Sequence, residues 1–298
     1  MRSAPFRSSA PGLDPNPTHM TKRAVVVAVT SDQHANSTLG LCPTEGVQLD
    51  DGGFYHPSKA QRWTWRCWLD FWKRVAAVRK EQDADLVCVF NGDAVDGPDH
   101  HGTSQVISRN VEVQSYVAGR VFSIPQGLKP ERMYMVRGTE VHVGQSASSE
   151  EALAKSLQCE RAATRTWSHW HLILLVHGRL FDFQHHASVG GLPWTRPGGV
   201  ARLAFRHWVE RTQRNLRPAD VMFRSHLHVH GDSFGHHKTR AIITPAWQLK
   251  TSHAHKIAPE SIADIGGIIA TIHPDRRRRI EVEPVLYEPR LPTPQKVT

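Results

Sequence analysis

Five short segments place Asp, Glu or His at or just beyond the end of a strand-like run. They are Asp32-Gln33-His34, Asn91-Gly92-Asp93, Gly138-Thr139-Glu140-Val141-His142, Gln184-His185-His186 and Ser225-His226-Leu227-His228. Carboxylates and imidazoles delivered by separate strand ends can hold two metal ions side by side. Such a pair makes hydroxide from water near neutral pH and neutralises phosphate charge. In an extended segment residues i and i+2 point the same way, so Asp32 with His34, and His226 with His228, are each expected to face one ion. Gly92 permits a tight turn that lets the Asp93 carboxylate bridge two ions. Mixed imidazole and carboxylate donors accept Mn, Fe, Zn or Ni, and imidazole suits these better than Ca or Mg.

Each motif alone says little, because an Asp-x-His pair, an Asp-rich turn and a His-x-His strand all occur without a metal. Their order and spacing carry the weight. In that order they resemble the calcineurin-like metallophosphoesterases over roughly residues 24–250. The resemblance implies an α/β fold (α+β in some schemes), a four-layer α/β/β/α sandwich of the metallo-dependent phosphatase type with metals at the carboxyl edges of its strands. It implies a metal-dependent phosphomono- or phosphodiesterase acting through a hydroxide shared by two divalent ions. Asp32, His34, Asp93 and His228 would hold the first ion. Asp93 would bridge to the second, which His226 also binds, joined by His185 or His186 from the end of a hairpin; His177, in the hairpin turn, ranks behind them.

The third motif departs from the family, which usually has Gly-Asn-His followed by Asp or Glu, the Asn binding the second metal and the His aiding the leaving group. Here Thr139 stands for the Asn, Glu140 for the His, and His142 is displaced by two positions. Either Glu140 replaces the Asn as an anionic ligand, or Thr139 leaves the second site weak. His142 either reaches the leaving group from its new position or orients a ligand from behind. Arg137 is a candidate for stabilising charge on the phosphoryl oxygens, against the plainer reading of an exposed arginine near a turn. Ser225 replaces the family's usual Gly before the His pair, and the loop of residues 35–57, with Cys42-Pro43 and Asp50-Asp51-Gly52-Gly53, resembles phage-type relatives.

The positioning elements follow from hydrophobic pattern. Residues 24–31 and Asp85 to Phe90 read as buried strands, Arg132 to Val136 as a third, and His171 to Val176 with Leu180 to Phe183 as a hairpin. Ser58 is the expected N-cap of a helix running to about Gln82, with Trp65, Trp68 and Trp72 on one face, where core packing outranks base stacking. Further helices are expected over residues 104–122, from Ser148-Ser149-Glu150-Glu151 with a capping-box pattern, and over 198–216. Asp220 to Arg224, Ala241 to Thr244, Gly267 to Ile272 and Ile280 to Leu286 complete the strands, the last two antiparallel around Arg276–Arg279. Early βαβ units followed by antiparallel strands predict two packed sheets.

Composition bounds the rest. The 298 residues suffice for one large domain or two small ones, and the expected division is a tail over 1–22, one domain over 23–290 and a short tail over 291–298. Apolar runs such as Leu172–Val176 fall far short of the ~20 residues of a membrane span, so no membrane partner is expected. Cys42, Cys67, Cys88 and Cys159 form no Cys-x-x-Cys pair and read as reduced thiols of a cytoplasmic protein. A net charge of +9 favours anionic partners: a phosphorylated substrate, a nucleotide or nucleic acid. Two rival readings are a metal-binding protein without turnover and a nucleic-acid-binding module, with a nuclease as the alternative within the enzyme class. Substrate, metal identity and oligomeric state are open at this level.

Overall fold

The computed structural model describes residues 23–97, 105–187, 189, 195–289 and 294–297. The expected tail over residues 1–22 and half of the C-terminal tail lie outside the described residues, as does Ser104, the expected start of a helix. Among the described residues thirteen strands form two large sheets and a small hairpin. The first sheet has the order β13-β12-β1-β4-β5-β6, from β1 (Val25–Thr30), β4 (Asp85–Asn91), β5 (Arg132–Val136), β6 (Ser168–His169), β12 (Ile265–Ile272) and β13 (Glu281–Tyr287). The second has the order β10-β11-β9-β8-β7, from β7 (Leu172–Val176), β8 (Arg179–Phe183), β9 (Val221–Arg224), β10 (Gly231–Asp232) and β11 (Arg240–Ile243). β2 (Val47–Gln48) and β3 (Phe54–Tyr55) pair inside the otherwise irregular 35–57 segment.

β1 is buried along its whole length because both of its faces are covered, which is why it reads as a continuous apolar run rather than an alternating one. Val26 and Ala28 pack into the helix-covered core with Leu86, Cys88 and Phe90 of β4. Val25, Val27 and Val29 point the other way and meet Phe181, Phe183 and Phe223 of the second sheet. Helices α1 (Lys59–Glu81), α2 (Val111–Gly127) and α4 (Ser148–Ser156) cover the first sheet. α5 (Arg196–Gln213) covers the second through Val200 and Ala204 against Met222, Ala241 and Ile243. The result is a four-layer α/β/β/α sandwich. Two short helices, α3 (Glu140–Val143) and α6 (Ser252–Ile257), have no counterpart in the sequence reading.

α1 begins where its sequence says. The Ser58 side chain accepts from the Gln61 N–H, and the Gln61 side chain accepts from the Ser58 N–H, closing a capping box. Trp65, Trp68 and Trp72 are core residues, with Trp68 edge-on to Trp72 at 5.3 Å and to Trp247 at 4.8 Å. α2 begins later than expected, at Asn110, whose side chain accepts from the Glu112 and Val113 N–H groups. The preceding residues are drawn instead into tertiary pairing, Thr38 N donating to Gln105 O and Ile107 N to Asn36 O. α2 also continues past Pro125, which leaves the Val121 carbonyl without its usual helical donor; the Trp68 indole N–H supplies one at 3.2 Å.

The capping box expected at Ser148 does not form. Ala147 is the N-cap and makes no side-chain cap bond, while Glu150 and Glu151 serve other loops. α5 starts and ends two to three residues before its expected bounds. Arg276–Arg279 form an exposed turn between antiparallel β12 and β13, and the four cysteines are free and buried. No helix among the described residues is long and apolar enough to cross a membrane.

Candidate metal centre

Parallel pairing of β1 with β4 and of β4 with β5 brings three ligand-bearing strand ends to one edge of the first sheet. Parallel pairing of β8 with β9 does the same in the second sheet. The strand-to-loop backbone is not extended, contrary to the basis of the i, i+2 expectation. Asp32 (φ 52°), His34 (φ 43°), Asp93 (φ 54°), His226 (φ 74°) and His228 (φ 54°) all lie in the left-handed region. Non-glycine residues seldom adopt it, at about 1–3 kcal/mol each, and such residues cluster at functional sites. Long-range bonds hold the turns: Asp32 N donates to Gly92 O at 2.9 Å, His34 N to Asp93 O at 3.0 Å, and Asp264 N to His228 O at 2.9 Å.

The side chains converge. His185 Nε2 lies 3.1 Å from Asp93 Oδ2 and 3.9 Å from Asp32 Oδ1. His228 Nε2 is 3.3 Å from Asp32 Oδ1 and 3.3 Å from His34 Nε2. His226 Nδ1 and His34 Nε2 are each 3.9 Å from Asp93 Oδ2. Four overlapping groups have all their ligating atoms within 4.8 Å of one another: Asp32, His34 and His228; Asp32, Asp93 and His185; His34, Asp93 and His142; His185, His186 and His226. The two carboxylates sit at the buried middle, and His186 and His226 at the open side.

Electrostatics and unmet bonding fit a divalent cation. Burial opposes the charge of Asp93, yet the His185 imidazole holds its carboxyl well below the usual range, and His228 and His185 do the same for buried Asp32. Burial also opposes charge on His185, but Asp93 and Asp32 outweigh it and push the imidazole up to about 10. Burial and the neighbouring His142 bring His34 down to about 3, the neutral form that ligates metal. Asp32 Oδ1, His34 Nδ1 and His185 Nε2 are buried without a hydrogen bond. His185 Nδ1 donates to the Asn91 carbonyl at 2.7 Å, which leaves Nε2 as the ligating atom once a cation displaces its proton.

Thr139, not Glu140, joins the cluster. Its N–H donates to Asp93 Oδ1 at 2.6 Å, and its hydroxyl lies 3.2 Å from both His186 Nε2 and His226 Nδ1. Glu140 opens α3 on the solvent side, is exposed, and belongs to none of the ligating groups. α3 swings His142 back toward the centre, its ring 4.6 Å from His34 and its Nδ1 2.9 Å from Asp96 Oδ1. Burial lowers the His142 pKa, but Asp96 and Asp93 more than reverse this and raise it above its ordinary value.

Arg137 is not brought to the cluster. Its guanidinium donates to Ser168 Oγ at 3.0 Å, pairs with Glu151 at 3.7 Å and stacks 5.0 Å over Trp170. His177 is also elsewhere, 2.9 Å from the Arg23 carbonyl.

Sequence reasoning gave Asp96 no role and read Glu150 only as part of a helix cap. Asp96 was visible as a second carboxylate three residues after Asp93. Glu150 has no local signal; it is fully buried and accepts from Ala94 N at 3.0 Å and Gly138 N at 2.7 Å, clamping the loops that carry Asp93 and Thr139. Gly138 is as tightly constrained, since a Cβ there would lie 2.1 Å from Asp93 Oδ1 and 2.3 Å from Asp93 N. Gly138→Ala is therefore expected to displace Asp93 and weaken metal binding at least tenfold in a calorimetric titration, with the helical circular dichroism unchanged.

Two packed sheets, helices on both outer faces, and carboxylates with imidazoles at the carboxyl edge of the strands define the metallo-dependent phosphatase fold. No family model matches the sequence, and no curated protein matches it either. Among solved structures the chain is similar to wild-type Vps29 complexed with Zn2+ from Entamoeba histolytica, with 10% identity and a TM-score of 0.38 over 88% of this chain and 98% of that one. It is also similar to a dimetal phosphatase from Danio rerio, with 10% identity and a TM-score of 0.44 over 88% of this chain and 96% of that one. A 5'-nucleotidase from Candida albicans aligns at 10% identity and a TM-score of 0.42 over 90% of this chain and 52% of that one.

Proposed function

We propose that the chain is a metal-dependent phosphoester hydrolase of the calcineurin-like kind, working in the cell interior. One observation carries this reading: six imidazoles gather around two buried carboxylates, with two buried ligand atoms, Asp32 Oδ1 and His185 Nε2, left without hydrogen bonds. Asp32, His34, Asp93 and His228 would hold one ion; Asp93, His185 and His226 would hold the other, with His186 on its open side. When bound, the ions supply hydroxide near neutral pH and neutralise charge on the phosphoryl oxygens. Asp93 would be common to both sets, and the Thr139 N–H fixes its carboxylate. His142, oriented through Nδ1 by Asp96, delivers a proton from Nε2 to the leaving oxygen. Its raised pKa keeps that proton available at higher pH than in a free imidazole. The substrate is a phosphomono- or phosphodiester, and the 35–57 loop allies the chain with phage-type relatives.

The test is removal of metal by chelation and reconstitution with Mn2+, Zn2+, Fe2+ or Ni2+, measuring bound metal and hydrolysis of chromogenic monoesters and diesters. Two equivalents of metal and hydrolysis of one ester class are expected. Two bound equivalents with neither ester cleaved would leave a metal-binding protein without turnover.

A further inference from the structure

α5 buries Val200 and Ala204 against the second sheet, and its outer side is of a different kind. Phe205 is 47% exposed. Its ring lies 5.9 Å from that of Trp208 and 5.4 Å from the imidazole of His237, in the turn between β10 and β11. The same turn sets the Lys238 ammonium 5.9 Å over the Trp208 ring and leaves Phe234 73% exposed. Arg202, three residues before Phe205, and Arg206, the residue after it, are exposed on α5, and neither has an ion-pair partner among the described residues. Of the nearby acids, Glu210 pairs with Arg214 and Asp220 with Arg217 toward the far end of the helix, and Asp232 is taken up by Arg240 at the base of the β10–β11 turn.

The start of α5 is tied to the loop that carries His228. α5 follows the segment after His186, and Val200 in its second turn packs on Gly231, three residues beyond His228. At the helical rise per residue, Phe205 lies about 14 Å along the axis from the start of α5.

We infer that this face of α5, with the β10–β11 turn, binds single-stranded nucleic acid and leads it to the metal centre. Exposed rings offer stacking faces to bases of any sequence, and the unpaired cations between them hold the phosphates. A second copy of the chain is the poorer occupant, because a two-fold contact would set this basic face against itself. The net charge of +9 favours the same polyanion. That the bound strand is also the substrate rests on the hydrolase reading; the binding does not.

The experiment is fluorescence anisotropy of a labelled oligothymidylate in excess EDTA, which removes the metal centre from the measurement. The triple variant Arg202→Ala, Phe205→Ala, Lys238→Ala changes only exposed side chains. It is expected to bind at least tenfold more weakly than wild type, with the slope of log K against log salt reduced by about 1.4 for the two lost cations. Its melting temperature, bound metal and hydrolysis of a small chromogenic diester should match wild type. No binding by wild type, or equal binding by the variant, overturns the inference, as does self-association or acidic-peptide binding that the variant alone loses. Binding without cleavage on adding metal supports the surface and removes the polynucleotide as substrate. Cleavage of the small diester without oligonucleotide binding overturns the surface and leaves the hydrolase reading standing.

Discussion

Asp93→Asn is expected to lower kcat/KM for the best phosphoester by about 10²–10³-fold or more, the scale seen when one preorganised electrostatic partner of a reaction is removed. Asp93 takes part in two of the four ligating groups and lies 3.1 Å from His185 and 3.9 Å from both His34 and His226. An amide keeps the size and an oxygen for the Thr139 N–H, but it removes the charge that would hold both ions and turns an NH2 toward a ligand. Bound metal should fall below two equivalents in the same sample. The stabilisation by added metal should shrink as well; for wild type it reaches about 2.7 kcal/mol at a free metal concentration of 100 Kd. Steady-state kinetics, metal content and thermal unfolding together check this, and equal rates in the two proteins would remove Asp93 from the mechanism.

The second large effect lies under α5. Arg224 of β9 pairs with Asp182 of β8 at 2.7 Å, both side chains buried, and His171 Nε2 meets the other carboxylate oxygen at 2.6 Å. Arg224→Met leaves the Asp182 charge buried without its main counter-ion and is expected to cost about 3–5 kcal/mol in chemical denaturation. The double variant Asp182→Leu, Arg224→Met should recover much of that loss, because buried ion pairs exchange for apolar pairs at little net cost.

Burial raises the Asp182 pKa, but the His171 hydrogen bond and the Arg224 charge together bring it down to about 2. A depressed carboxylate contributes stability above its unfolded pKa and loses it as pH falls through the folded one. The Asp182 contribution is therefore complete above pH ~4 and lost toward pH ~2. Across that window wild type should lose stability relative to the double variant, which has no carboxyl at position 182 to protonate.

How far the chain could be read depended on whether a signal was local. Ser58 and Gln61 sit one turn apart and cap α1 regardless of what lies elsewhere, so that helix matched at both ends. The start of α2 did not, because Gln105 and Ile107 bond to Thr38 and Asn36, a pairing that no window around residue 105 contains. Glu150 and Glu151 looked like capping residues by spacing, yet their partners are Ala94, Gly138, Trp167 and Ser168. Arg137 adjoins the third motif in sequence, but Ser168, Glu151 and Trp170 turn its guanidinium away. The choice between Thr139 and Glu140 turned on a helix only four residues long.

Residue order alone specified the apolar strands, the capped helix and the identity of most side chains now grouped at the centre, because each is written in a stretch shorter than about a dozen residues. Folding in three dimensions decided their convergence. Parallel registry of β1, β4 and β5 aligns three strand ends that are far apart in the chain. Bonds such as Asp32 N to Gly92 O hold the left-handed turns that aim the ligands. A left-handed conformation at Asp or His is unfavourable locally and persists only where distant contacts impose it, so it has no signature in the neighbouring residues.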